Sequence, residues 1–106
     1  MLTPAPKPPA RHREPEYLAY VATQPCVACR SIGIRPRPAD PHHVQTKGAG
    51  GGDDQVAPLC REHHAMCHRI GRASFAAAWK LDLDAEAARV RAAWLALPAV
   101  VREPAF

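Results

Sequence analysis

The sequence predicts a small α+β domain in which two short extended segments lead into a run of helices. Three observations predict it. A chain of 106 residues makes one domain at most, with a modest core. Apolar residues at helical spacing dominate the stretch after Cys60, whereas prolines and glycines break up most of the chain between Gln24 and Val56. Finally, all four cysteines and five of the six histidines fall between Cys26 and His68. A crowd of that kind can cross-link what a small core cannot hold.

The elements follow in order. Residues 1–16, MLTPAPKPPARHREPE, are Pro-rich and basic and are expected to remain a disordered tail that can touch a phosphate backbone. Residues 17–106 are expected to form the single folded domain. YLAYVAT, from Tyr17 to Thr23, has helical spacing and is stopped by Pro25, after which PCVAC reads as a tight turn. Arg30 to Pro41 holds three prolines and should be irregular. HHVQTKG, from His42 to Gly48, reads as a short strand, and GAGGGDD as a loop, because glycines that dense destabilise regular structure. VAPLC, from Val56 to Cys60, is extended, with Pro58 at an edge or strand end.

From Arg61 the pattern is helical up to Gly71, which suits a C-terminal cap. Ala73 to Leu81 forms a second helix. Asp82 to Leu97 forms a third, with Asp82 or Asp84 as N-cap and Pro98 closing it. The apolar stripe Leu83, Ala87, Val90, Trp94 and Leu97 is expected to pack on the helix before it.

The net charge of +4 rests mostly on Arg, whose planar fork matches phosphate, so nucleic acid is a plausible partner; a GC-rich genome would enrich Arg as well. No basic stretch followed by an apolar one opens the chain, and nothing in it is long enough to cross a membrane. The expectation is a cytoplasmic protein, and in a reducing compartment cysteines spaced Cys-x-x-Cys read as metal ligands before disulfides.

Cys26-x-x-Cys29 and Cys60-x-x-His63 are two halves of a tetrahedral zinc site. Closing the loop between them constrains the unfolded chain by about 3–4 kcal/mol, and structural zinc as a whole contributes about 10–16 kcal/mol. His42, His43, His64, Cys67 and His68 are then left over. Residues four apart on a helix lie about 40° apart, so His64 and His68 share a face, whereas His63 is turned roughly 100° from His64. One helix can therefore serve two ions. Neighbours on a strand point to opposite faces, so one of His42 and His43 completes a second, all-imidazole site and the other is available as a general base. Three protein ligands leave room for water and substrate, as in catalytic sites. Cys67 shares a face with Cys60 and His63, but the zinc is already full and Cys67 is read as a small buried residue.

These residues resemble the HNH, or ββα-metal (His-Me finger), endonucleases, and more closely a phage and prophage subgroup similar to the RecA-dependent phage nuclease Ref. PCVAC, HHVQTKGAGGGDD, VAPLCREHHAMCHRIG and SFAAAWKLDL carry the resemblance, over about Tyr17 to Leu83. It implies a zinc-stabilised ββα-metal fold with additional C-terminal helices and a metal-dependent DNA endonuclease, hydrolysing phosphodiesters without strong sequence preference. It implies that His43 is the general base and that His42, His64 and His68 hold a catalytic divalent ion (Mg²⁺, Mn²⁺, Ni²⁺ or Zn²⁺). Cys26, Cys29, Cys60 and His63 would hold structural Zn²⁺. The Asn that gives HNH its middle letter is missing, since the chain contains no Asn. Asp53 stands where the subgroup tends to have Asp and can accept backbone N–H groups in its place; Asp54 or Gln55 could substitute. Lys47, Arg61 and Arg69 are the expected DNA contacts, and a recombination or phage protein is a candidate partner.

The competing reading is a zinc-stabilised DNA-binding module of a phage or prophage without catalysis. His12-Arg13-Glu14 followed by Pro25-Cys26-x-x-Cys29 superficially matches the zinc deaminase signature, but the His lies in the Pro-rich tail and the spacing is too short. A thioredoxin-like role for Cys26 and Cys29 lacks the βαβ pattern.

Overall fold

The computed structural model describes residues 12–35, 37–45 and 51–102. They form six helices and one two-stranded antiparallel sheet: α1 (Pro15–Ala22), α2 (Val27–Ser31), β1 (Ala39–His43), β2 (Val56–Cys60), α3 (Arg61–Ile70), α4 (Arg72–Trp79), α5 (Leu83–Leu95) and α6 (Ala99–Arg102). The α+β class holds. Among the described residues, no helix is long and apolar enough to cross a membrane.

Helix α1 begins two residues earlier than expected, inside the segment read as a tail. Proline at the first helical position loses no hydrogen bond there, and Glu16 in the first turn suits the positive end of the helix dipole. Most of the expected tail, residues 1–11, lies outside the described residues. PCVAC is not a tight turn alone. Its Cys26 caps the five-residue helix α2, with Sγ accepting from the Cys29 N–H at 3.5 Å.

The first strand is Ala39–His43 rather than His42–Gly48. Its register explains how Pro41 is tolerated: Pro41 stands directly opposite Pro58. Opposed residues in an antiparallel pair exchange both N–H···O bonds or neither. Two facing prolines therefore take a position where neither bond is called for. Alternation along β1 then puts Asp40 and His42 on one face and His43 on the other. β2 shows no alternation and is buried throughout, because β1, α1, α2, α3 and α5 all pack against it.

Helix α3 ends at Gly71, whose φ of 91° lies in a region where an L side chain is strained. The reversal lets α4 fold back on α3. Asp82 caps α5 by accepting from the Ala85 N–H at 3.0 Å. The α5 stripe divides its packing, which the sequence reading did not anticipate. Leu83 and Ala87 join Phe75 of α4 in the cluster around the cysteines, whereas Val90 and Trp94 pack with Tyr17, Val21 and Val56. The Trp94 ring lies 5.6 Å from that of Tyr17 and 5.0 Å from that of Tyr20. The reason is geometric: β2 lies between α1 and the cysteine cluster, and a thirteen-residue helix is long enough to cover both.

Tyr17 is fully buried, its hydroxyl has no hydrogen-bond partner among the described residues, and the Arg91 guanidinium sits 4.7 Å above its ring. Burial pushes its pKa up to about 12, against the opposing pull of Arg91. The unfolded phenol ionises from about pH 10, so the unfolded state loses this proton first and stability falls as pH rises above that. Tyr17→Phe is expected to be neutral or to stabilise by about 1 kcal/mol at neutral pH, since it removes an unpaired buried hydroxyl. Urea unfolding of both proteins near pH 7 and near pH 11 checks this; the advantage of Phe is expected to widen at the higher pH.

Candidate metal centres

Both halves of the first centre are built the same way. A cysteine stands at a helix N-cap and its partner lies three residues on, in the first turn: Cys26 and Cys29 in α2, Cys60 and His63 in α3. The positive helix ends favour thiolate at both caps. His63 Nδ1 lies 3.4 Å from Cys26 Sγ, 3.5 Å from Cys29 Sγ and 3.2 Å from Cys60 Sγ, and Cys29 Sγ is 3.9 Å from Cys60 Sγ. Around tetrahedral zinc, bonds of about 2.3 Å to sulfur and about 2.0–2.1 Å to nitrogen give S···S separations of about 3.8 Å and S···N of about 3.5 Å. All four donor atoms lie within 4.8 Å of one another, and all four cysteines of the chain are free thiols. Burial, with Cys26 and Cys60 alongside, pushes the Cys29 thiol up to about 12. Three buried sulfurs at one point cannot ionise together without a cation, and the donor set fits one. Cys26, Cys29, Cys60 and His63 could hold a metal such as zinc. Trp79 closes over the group, its ring 4.6 Å from that of His63.

The second group is His42, His64 and His68, with donor atoms again within 4.8 Å of one another. The Nε2 atoms of His64 and His68 face each other at 3.0 Å. The His42 ring meets both edge-on, at 5.1 and 5.4 Å between centroids. His42 is 5% exposed, and its Nδ1 is buried without a hydrogen-bond partner among the described residues. Burial first, then the neighbouring histidines and Arg72, pull its pKa down to about 4, so it is neutral and able to ligate at pH 7. An unpaired buried imidazole nitrogen and two facing ring nitrogens are unfavourable alone and favourable around a cation. The residues fit a divalent ion. Asp40, on the same strand face as His42, places Oδ2 3.4 Å from His64 Nδ1 and so turns that ring's other nitrogen toward the group.

Cys67 belongs to neither set. Its Sγ lies 3.6 Å from His42 Nε2, buried behind the histidines.

His43, on the opposite strand face, meets Asp53 with Nε2 2.9 Å from Oδ1. The second carboxylate oxygen accepts the Glu14 N–H at 2.9 Å, and the Asp53 N–H donates to the His12 carbonyl at 3.0 Å. Asp53 thus braces the segment before α1 and holds the His43 ring with one carboxylate. This reach to His12 and Glu14, in the segment expected to be tail, is additional to the loop bracing expected of Asp53. A Cβ at Gly52 would lie 3.1 Å from His12 Cβ and 2.5 Å from Asp54 Oδ1, so the close approach of the two segments requires glycine there.

Both groups of histidines open into one cleft of about 780 Å³, lined among others by His42, His43, His64 and His68. Arg72 lines it too, and its Nη1 donates to the Val44 carbonyl at 2.5 Å. Sequence reasoning missed this residue, although its position four beyond His68 and directly after the Gly71 break was a usable signal. Of the expected DNA contacts, Arg61 and Arg69 are exposed on α3 and do not line the cleft, and Lys47 lies outside the described residues.

The chain is thus a small α+β protein with a Cys₃His group and an open His₃ group that both draw ligands from α3. A family model described as "Protein of unknown function (DUF968)" matches residues 1–83, and the chain belongs to that family. The match spans every residue of both groups. No curated protein and no solved structure matches the chain.

Removing one sulfur from the first group is expected to abolish both metal retention and folding. Cys29→Ser should emerge with no bound zinc by elemental analysis and without cooperative thermal unfolding, whereas wild type should retain one tightly held zinc per chain. His64→Ala should keep that zinc, because its side chain lies outside the Cys₃His group. A Cys29→Ser protein as stable as wild type would refute the structural role.

Proposed function

We propose that the protein is a metal-dependent DNA endonuclease of the HNH, ββα-metal type. The observation that carries the reading is that His43, held by a buried carboxylate, opens into the same cleft as the three-histidine group. The succession of an antiparallel strand pair and a helix bearing ligands supports the fold assignment.

Asp53 Oδ1, 2.9 Å from His43 Nε2, holds the ring in the orientation of a general base. His43 then takes a proton from water as its oxygen forms the new bond to phosphorus and the bond from phosphorus to the 3′-oxygen breaks. The leaving oxygen picks up a proton from solvent, giving a 3′-hydroxyl and a 5′-phosphate. Asp53 holds the ring in place and compensates the imidazolium while it carries the proton. When bound at His42, His64 and His68, a divalent ion supplies Lewis-acid polarisation of the phosphate and charge compensation at the leaving oxygen. The burial of His42 keeps that imidazole neutral for the role.

Plasmid nicking with added Mg²⁺, Mn²⁺, Ni²⁺ or Zn²⁺ tests the reading. Wild type is expected to nick, and His43→Ala to lose at least a hundredfold in rate, the scale of general-base catalysis, while keeping its zinc and a cooperative unfolding transition, lowered by the loss of the Asp53 partner. Asp53→Asn should lose activity as well, and also loosen the segment around His12 and Glu14 in hydrogen exchange. Nicking by His43→Ala at the wild-type rate would overturn the base assignment. DNA binding without cleavage under any metal would favour a non-catalytic binding module.

A further inference from the structure

The histidine cleft does not end at Arg72. A second cleft, of about 710 Å³, shares Val44, Gln45 and Arg72 with it and continues onto α5. The two make one groove with Arg72 at its waist.

The halves differ in chemistry. At the waist, Arg72 is exposed, and one of its five donors is spent on the Val44 carbonyl, which fixes the guanidinium over the groove. Such a fork suits a phosphate. Beyond it, Asp54 and Asp84 line the second cleft and repel a phosphate. Arg91 is also there, but its charge is taken up by Glu14 and by the Tyr17 ring. The floor is the Ala88, Ala92 and Leu95 face of α5, and Gln55 adds an amide at the wall. An apolar floor with carboxylate and amide groups at its margin matches a nucleobase, which has apolar faces and an edge of N–H donors and acceptors. A base in a duplex has its faces stacked and its edge paired, so it cannot enter.

We propose that the groove binds single-stranded DNA, with a backbone phosphate on Arg72 and the base of the flanking nucleotide in the cleft on α5. This deepens the endonuclease reading and rests on it for the position of the cut. It makes the preferred substrate a single strand, or a site where a duplex is opened.

Fluorescence anisotropy with a short labelled oligonucleotide, single-stranded or annealed to its complement, tests the groove. Wild type is expected to bind the single strand about tenfold more tightly than the duplex at equal salt. Arg72→Ala should weaken single-strand binding about tenfold and reduce its salt slope by about 0.7, the share of one phosphate. Ala88→Glu, at an exposed position of α5, should weaken single-strand binding and leave duplex binding as it was. Retained zinc in both variants shows that they are folded. Equal affinity for duplex and single strand, or single-strand binding unaltered in both variants, overturns the proposal. Hydrolysis of bis(p-nitrophenyl) phosphate by wild type with divalent metal separates the two readings. The expected binding pattern without hydrolysis supports the groove and overturns the nuclease. Hydrolysis without single-strand preference overturns the groove and leaves the nuclease.

Discussion

Four donor atoms, three sulfurs and one imidazole nitrogen, lie within 4.8 Å of one another at the junction of α2, β2 and α3, and the rest of the molecule is arranged from there. Cys29 and Cys60 are 31 residues apart in sequence and 3.9 Å apart in space. β1 lies inside the loop this contact closes, so a metal held by the Cys₃His group would place His42 and His43 by a cross-link neither takes part in. The same cluster fixes α3 through its first turn, where His63 is adjacent to His64. With a 100° step per residue, pinning His63 dictates where His64 and His68 point. Structural zinc contributes about 10–16 kcal/mol, comparable with or larger than the whole stability of a typical small domain, about 5–15 kcal/mol. With zinc bound there, the core of two modest clusters would not have to hold these elements unaided.

A second constraint acts at Asp53. One buried carboxylate serves the His43 ring and the Glu14 backbone, and Glu14 in turn pairs with Arg91 of α5. Hydrogen bonds to charged groups are worth about 1.5–3 kcal/mol, and a buried carboxylate stripped of its partners costs more. The path from α5 through Glu14 and Asp53 to His43 therefore makes the ring's orientation a property of the whole fold. It also accounts for the helix that begins at Pro15. The preceding residues are anchored on Asp53, so the first turn starts from a fixed point, with Tyr17 and Val21 delivered into the core.

Much of this arrangement was legible in the sequence. The two Cys/His pairs were readable because a two-residue gap is the signature of two ligands on one turn. His64 and His68 were readable because helical period is exact enough to put residues four apart on one face. Gly71 and Asp82 mark their helix ends by side-chain chemistry alone. What was not legible depends on contacts between segments distant in sequence. The strand at Ala39–His43 is hidden by Pro41, which only the facing Pro58 makes acceptable. The packing of α5 on α1 depends on where β2 passes between α1 and the cysteine cluster. The anchoring of His12 and Glu14 by Asp53 joins residues about forty positions apart, and composition alone made that segment look like tail. Arg72 was missed because the charge count singles out no Arg from the others; its place four beyond His68 and after Gly71 was a signal, to which the course of the cleft gives meaning.

The two groups that share α3 differ in a way that separates their chemistry. The Cys₃His group is closed: its three sulfurs are buried and Trp79 covers the imidazole. The His₃ group is graded from inside to outside. His42 is buried against Cys67, His64 is partly covered and steered by Asp40, and His68 is exposed at the cleft wall. A closed tetrahedral set excludes water and substrate and leaves an ion only a structural task. A set with one rigid, one steered and one exposed imidazole can hold an ion from one side and leave its other side to the cleft. Asymmetry of this kind needs a helix whose rotation is fixed by something else, because three imidazoles with an exposed member cannot organise one. The buried group meets that need from the neighbouring residue, and this is a physical reason for four candidate metal ligands, Cys60, His63, His64 and His68, to crowd into three turns of chain.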